Sequence, residues 1–164
     1  MGQISSAPVE LVSVQRHGGA SWRGAVAEMQ GWRSDHEDAH FMLEYGGRGY
    51  FGVLDGHGGS NAARLAVRVG AKDALPALMR AAVAGAKDAA DLERRVAKAF
   101  VDCDAWLRCQ PEVLSDQSGS TCVCAGLAPR DDGRGYVRAP RGKHSLKRGS
   151  FRLVSPAAKS VFQE

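Results

Sequence analysis

The chain has 164 residues, of which 44% are hydrophobic and 24% are charged, a composition typical of one soluble globular domain. No apolar run approaches the ~20 residues needed to cross a bilayer, and the N-terminus lacks the basic-then-apolar pattern of a secretion signal. The formal net charge of +4 is unevenly distributed. Residues 133–164 hold eight Lys or Arg and one acidic residue, whereas residues 1–132 hold 14 Lys or Arg and 17 Asp or Glu. The basic character therefore belongs to the tail, and we expect no specific nucleic-acid partner for the body.

The first six residues, Met-Gly-Gln-Ile-Ser-Ser, fit the acceptor pattern for N-myristoylation of Gly2. An ordinary disordered start is the alternative, and both interpretations stay open. One myristoyl chain binds membranes only marginally, so the basic tail would serve as the second membrane signal. We expect a cytoplasmic protein, with peripheral membrane association or a nuclear location as alternatives, and we assign residues 1–21 to an extended lead-in.

Short apolar runs bounded by turn residues predict three strands in the first third of the chain. They cover residues 25–29, 41–45 and 50–55. The last two are separated by the glycine-rich segment 46–49, so we expect them to form a hairpin.

A helical period begins at Asn61, with Ser60 or Asn61 as the N-cap, and Pro76 should end or kink this helix. Asp88 can cap a second helix, which should end before Pro111. Apolar residues recur at three- or four-residue spacing along that second helix and predict a core stripe: Leu92, Val96, Phe100, Cys103 and Leu107.

Residues 119–127 form an apolar run that predicts a strand, and Tyr136 and Val137 begin a partner strand. Strands and helices in separate runs indicate an α+β fold. The four cysteines lie outside zinc-site spacings, so we interpret them as plain buried thiols: Cys103, Cys109, Cys122 and Cys124. The last two alternate along the strand and should share a face.

Asp55 stands at the end of a predicted core strand and is followed at once by Gly56. Oxygen ligands at a strand end, beside a flexible turn, suit a hard divalent cation. Glu37 and Asp38 supply further carboxylates, and Arg33 supplies a fork of donors shaped for phosphate. Taken alone, Asp55 is better explained as a turn-capping aspartate, which is common before glycine.

Three motifs in order give a specific resemblance. Residues 31–40 (Gly-Trp-Arg-Ser-Asp-His-Glu-Asp-Ala-His), residues 51–59 (Phe-Gly-Val-Leu-Asp-Gly-His-Gly-Gly) and residues 118–121 (Ser-Gly-Ser-Thr) resemble those of the metal-dependent (type 2C, or PPM) serine/threonine protein phosphatases. The resemblance covers roughly residues 22–137. It implies an antiparallel β-sandwich with flanking helices and substrates that carry phosphoserine or phosphothreonine.

The resemblance also implies a site for two divalent cations, Mg²⁺ or Mn²⁺. Asp55 matches the aspartate that bridges the two ions, and the carbonyl of Gly56 joins it. Glu37 and Asp38 match the acidic pair of the second ion. In the family a hydroxide held between the ions attacks phosphorus in line, without a phosphoenzyme.

Two further roles follow from the same motifs. Arg33 matches the arginine that grips the phosphate, and His57 matches a proposed general acid for the leaving alkoxide. We interpret His36 and His40 as structural, because hard cations with carboxylate ligands do not need imidazole. Segment 118–121 has no recognisable base beside its hydroxyls, so we interpret it as a packed strand start.

The chain departs from the family after residue 137. Family members carry two further metal aspartates, whereas Asp131 and Asp132 are the last acids here before Glu164. We therefore expect an apparently truncated phosphatase domain over residues 22–137, inactive alone, and a divergent, disordered basic tail over 138–164. The alternative is a non-catalytic, phosphoprotein-binding or regulatory fragment, tethered to a membrane or free.

Overall fold

A computed structural model describes residues 4–20, 22–129 and 135–138. Strands and helices alternate in blocks along this part of the chain, which confirms the α+β fold. The strands are β1 (Ile4–Gly18), β2 (Arg23–Arg33), β3 (Ala39–Tyr45), β4 (Arg48–His57), β5 (Gly119–Pro129) and β6 (Gly135–Arg138). The helices are α1 (Asn61–Ala66), α2 (Leu75–Gly85), α3 (Ala89–Leu107) and α4 (Pro111–Asp116).

The strands form two antiparallel sheets. Strands β1 and β2 make a two-stranded ribbon, and the other four make a sheet in the order β3-β4-β5-β6. The predicted lead-in is therefore largely strand β1, paired with β2. The sequence does not reveal this strand, because both faces of the ribbon are largely exposed and its residues do not alternate between apolar and polar. Gly2 and the tail from residue 139 lie outside the described residues.

The predicted hairpin between β3 and β4 is confirmed. Its turn consists of Gly46 and Gly47, whose φ angles are +59° and +75°. Two consecutive residues with positive φ give the tight turn whose twist matches the flanking strands. The hairpin fixes the register, in which Ala39 lies opposite Leu54.

The core lies between one face of the four-stranded sheet and the helices. Alternate residues of β3, β4 and β5 point into it, and α1, α2 and α3 cover them. Its fully buried members include Leu54, Leu75, Cys103, Leu107 and Cys122. Burial of this apolar surface is the main stabilising term for the domain.

The predicted role of Pro76 as the end or kink of the first helix is wrong. Helix α1 ends at Ala66, and Pro76 lies in the first turn of α2, where proline costs nothing because its missing N–H would have no helical partner. Helix α3 ends at Leu107, before Pro111, as predicted, and Pro111 itself begins α4. Gly70, with φ +90°, lies in the loop that separates α1 from α2.

Helix α3 confirms the sequence interpretation in detail. The Asp88 carboxylate accepts a hydrogen bond from the Asp91 N–H at 2.8 Å, as an N-cap residue does. Val96, Phe100, Cys103 and Leu107 are buried. The stripe therefore packs into the core rather than against a ligand.

The other face of the four-stranded sheet is only partly covered. The ribbon lies over one end, where Trp22 meets Phe51 edge-on with ring centroids 5.1 Å apart. Farther along the sheet, the cross-strand pair Val53 and Val123 is 56% and 41% exposed. No helix within the described ranges combines the length and apolar character needed to span a membrane.

Three of the four cysteines are buried, as predicted, but Cys109 is exposed, because it follows the last turn of α3. Cys122 and Cys124 share a face of β5 with their sulfurs 3.4 Å apart. Burial raises the pKa of the Cys103 thiol to about 12, and the neighbouring Cys124 thiol together with burial raises that of Cys122. All four are free thiols.

Candidate active site

The predicted site residues lie at one end of the four-stranded sheet. Strand β4 carries Asp55, Gly56 and His57 as its last three residues, opposite the start of β5. Glu37 and Asp38 directly precede β3. Because β3 and β4 are antiparallel neighbours, the end of one strand lies beside the start of the other.

Glu37 makes the contacts that join the two motifs. Its side-chain Oε1 accepts a hydrogen bond from the Gly59 N–H at 2.6 Å. Its main chain runs against Gly56, where an added Cβ would come closer than 3.0 Å to the Glu37 carbonyl oxygen. Glycine at position 56 is therefore a requirement of this approach between two backbones.

Asp55 and His57 lie on the same face of β4, two residues apart, and both are exposed. The Asp55 carbonyl accepts a hydrogen bond from the Ser120 hydroxyl at 3.1 Å, which ties β4 to β5 beside the carboxylate. The His57 ring lies over Gly119, where a Cβ would come within 2.7 Å of Nε2. Because Gly119 has no side chain, the imidazole of His57 has room to lie there.

Arg33 ends β2, and its side chain is exposed. Among the residues that the structure describes, its guanidinium makes no hydrogen bond or ion pair with the carboxylates of Glu37, Asp38 or Asp55. The guanidinium is therefore available to bind an anion, because these neighbouring acids do not engage it.

Segment 118–121 is confirmed as structural. Ser118 and Ser120 are buried, and the Ser118 hydroxyl accepts a hydrogen bond from the Ala62 N–H at 2.9 Å at the start of α1. The side chain of the N-cap residue Ser60 makes no such bond. No local sequence pattern marks this role, because the two residues are 56 positions apart.

The donors suit a divalent cation in kind, since Asp55, Glu37 and Asp38 are carboxylates and the Gly56 backbone is close by. Within the described ranges, however, no three or more His, Cys, Asp or Glu side chains are grouped so as to hold an ion. The predicted ligands lie at the same end of the sheet but do not form a complete coordination site. One carboxylate oxygen of Glu37 already accepts a hydrogen bond from the Gly59 N–H.

The fold and this arrangement define the class of protein. The family model for protein phosphatase 2C matches residues 22–131, and the chain belongs to that family.

Three relatives show the same kinship. A probable protein phosphatase 2C of Caenorhabditis elegans is 30% identical over 127 residues, 75% of this chain and 34% of the relative. The probable protein phosphatase 1N of Mus musculus is 35% identical over 115 residues, 66% of this chain and 27% of the relative. The protein phosphatase 2C homolog 2 of Schizosaccharomyces pombe is 31% identical over 134 residues, with 76% and 34% covered. The chain thus spans about a third of the length of these relatives.

Two solved structures are also similar. One is a C. elegans sex determining protein, with a TM-score of 0.48 and 18% identity, covering 75% of this chain and 28% of that one. The other is a serine-threonine phosphatase 2C from Toxoplasma gondii, with a TM-score of 0.41 and 13% identity, covering 88% and 54%.

Proposed function

We propose that this chain carries the phosphate- and metal-binding part of a metal-dependent protein serine/threonine phosphatase. The observation that supports the proposal most directly is the meeting of Glu37 with Gly56 and Gly59, which joins two acidic motifs at one sheet end. Membership of the protein phosphatase 2C family gives the reaction class. Substrates are proteins that carry phosphoserine or phosphothreonine.

The residues of the chain divide the work. The exposed guanidinium of Arg33 binds the phosphoryl oxygens and sets their orientation. The carboxylates of Asp55, Glu37 and Asp38, with the Gly56 carbonyl, would hold Mg²⁺ or Mn²⁺. Such ions, when bound, supply an activated water and stabilise the charge on the phosphoryl group.

His57 is the proton donor of the proposed reaction. Its imidazole lies on the same face of β4 as Asp55 and is open to solvent, so it can protonate the leaving alkoxide and exchange its proton afterwards. The Glu37–Gly59 hydrogen bond holds the glycine turn that follows His57.

Metal binding by the 164-residue chain tests the proposal. We expect the chain to bind Mn²⁺ weakly in isothermal titration and Asp55→Asn to lower the affinity about tenfold or more. Loss of a residue that only hydrogen-bonds to a metal ligand already lowers metal affinity by about that factor. Asp35→Asn is the control, because Asp35 is an exposed carboxylate in the connection that carries Glu37 and Asp38 and has no predicted role. Equal Mn²⁺ affinity for the wild type and Asp55→Asn would contradict the proposal.

Turnover distinguishes catalysis from binding alone. We expect these 164 residues to release little phosphate from a phosphothreonine peptide with Mn²⁺, since the chemistry of two metals needs more carboxylates than the described sheet end offers. Phosphopeptide binding with little turnover is therefore the result expected of this chain alone, and binding that does not depend on Mn²⁺ would favour the non-catalytic alternative. Rapid turnover, lost in Asp55→Asn, would show that a second copy or another segment completes the site.

Membrane association is a separate part of the proposal. The sequence pattern at Gly2 supports N-myristoylation, and the basic tail supplies a second, electrostatic attraction. Mass spectrometry of the N-terminus after expression in a eukaryotic host should show the added acyl mass. Gly2→Ala should then release the protein from membranes, and an unmodified Gly2 would end this part of the proposal.

A further inference from the structure

One hydrogen bond between two side chains connects the two sheets near the candidate active site. His40 on β3 donates through Nδ1 to Glu28 Oε2 on β2 at 3.1 Å, and the two side chains are 13% and 31% exposed. Glu28 belongs to the ribbon and His40 to the four-stranded sheet. The contact closes a loop of the chain that contains Arg33, Glu37 and Asp38.

The ribbon has few other attachments at this end. Its apolar attachment to the sheet is at the opposite end, where Trp22 packs against Phe51. Beyond Glu28, the large side chains of Met29 and Trp32 are 52% and 57% exposed. Backbone pairing with β1 continues to Arg33, so the polar contacts are needed to fix the end of β2 against the four-stranded sheet.

Three further hydrogen bonds involve residues of the closed loop. The Gln30 amide donates to the carbonyls of Arg33 at 3.0 Å and Ser34 at 2.9 Å, which holds the bend after β2. Glu37 bonds to Gly59 at the far end of the loop. Glu28 and His40 lie at the two ends of this loop, so the hydrogen bond between them joins its ends.

We propose that Glu28 and His40 form a positioning pair that fixes the end of β2 and so orients Arg33 toward the carboxylates. The proposal rests on the proposed function for its effect on phosphate, but its effect on the loop stands by itself. Loss of the pair would free the segment between Arg33 and Asp38 while leaving the core intact, because neither residue is part of the apolar core.

Hydrogen exchange of the 164-residue chain tests the effect on the loop. We expect faster exchange of the Gly59 amide, whose N–H donates to Glu37 at the end of the loop, in Glu28→Ala, with β4 and β5 unchanged. Glu28→Gln should restore slow exchange, because its amide oxygen still accepts from His40. Glu10→Ala is the control, since Glu10 is an exposed carboxylate on the same ribbon. Unchanged exchange of the Gly59 amide in Glu28→Ala, or faster exchange throughout the sheet, would overturn the proposal.

Affinity for inorganic phosphate, measured with Mn²⁺ present, tests the effect on Arg33. We expect Glu28→Ala to weaken phosphate binding several-fold, with Glu28→Gln near the wild type. A combined Glu28→Ala and Arg33→Ala variant should bind no more weakly than Arg33→Ala alone, because the pair acts through that arginine. If Arg33→Ala itself leaves phosphate binding unchanged, the proposed function fails, and exchange of the Gly59 amide still decides the positioning pair. Additive losses would overturn the link between the pair and Arg33.

Discussion

The backbone of Glu37 runs directly against Gly56, so closely that an alanine Cβ at position 56 would overlap the Glu37 carbonyl oxygen. This approach brings an acid from the connection before β3 to the end of β4. A side chain at position 56 would push the two segments apart, and the predicted ligands would separate with them.

We expect Gly56→Ala to lower the free energy of unfolding by about 1–3 kcal/mol, the usual cost of overpacking a tight site. It should also abolish Mn²⁺ binding. Gly47→Ala is the matched control: its added Cβ meets nothing within 4 Å, but its φ of +75° costs about 1 kcal/mol for a side chain. Both variants should melt earlier, and only Gly56→Ala should lose the ion. Mn²⁺ titration and thermal melting decide, and intact Mn²⁺ binding in Gly56→Ala would contradict the prediction.

Arg33 should serve phosphate binding and not stability. Since its side chain is exposed, Arg33→Ala should change the free energy of unfolding by no more than about 0.5 kcal/mol. Affinity for phosphate or a phosphopeptide should fall about tenfold or more, because charge-assisted hydrogen bonds are lost. Arg16→Ala, an exposed arginine at the opposite end of the ribbon, is the control. A large drop in melting temperature with unchanged affinity would show that Arg33 is structural.

Asp91 should make the start of α3 sensitive to acid. Its carboxylate accepts hydrogen bonds from Arg95 and from the Lys87 N–H, and these hold its pKa at about 2, below the ordinary 3.8. A depressed pKa stabilises the fold above pH 3.8, and this contribution is lost as pH falls toward 2. Asp91→Asn should therefore have a lower melting temperature than the wild type at pH 7, and this difference in melting temperature should largely disappear near pH 2. Asp102→Asn, on an exposed pair with Lys98, should have little effect at either pH. A difference that persists near pH 2 would contradict the assignment.

The thiols should differ sharply in reactivity. Exposed Cys109 should be alkylated by iodoacetamide at pH 8, while Cys103 stays unmodified because its pKa is raised to about 12 and it is buried. Cys122 and Cys124, buried on β5, should also be protected. Peptide mass spectrometry reads the sites, and unfolding in guanidinium should expose all four. Alkylation of native Cys103 as fast as Cys109 would show that the core opens readily.

The sequence alone determined the features that depend on near neighbours. The alternation of β4, the glycine turn at 46 and 47, the cap at Asp88 and the stripe of α3 are local patterns, and each is present in the structure. The acidic and glycine motifs also identified the family, because their order and spacing are written along the chain.

Only the tertiary structure decided which distant residues meet. The sequence placed Glu37 and Gly56 in one site by resemblance, but the register of β3 and β4 sets their contact. Ser118 reaches the start of α1, and Glu28 reaches His40, although no local pattern marks either pair. Pro76 reads as a helix stop or a helix start, and packing of α2 against α3 selects the start. Local propensity limits what each segment can form, whereas sheet register and burial, which depend on the whole chain, determine the partner of each side chain.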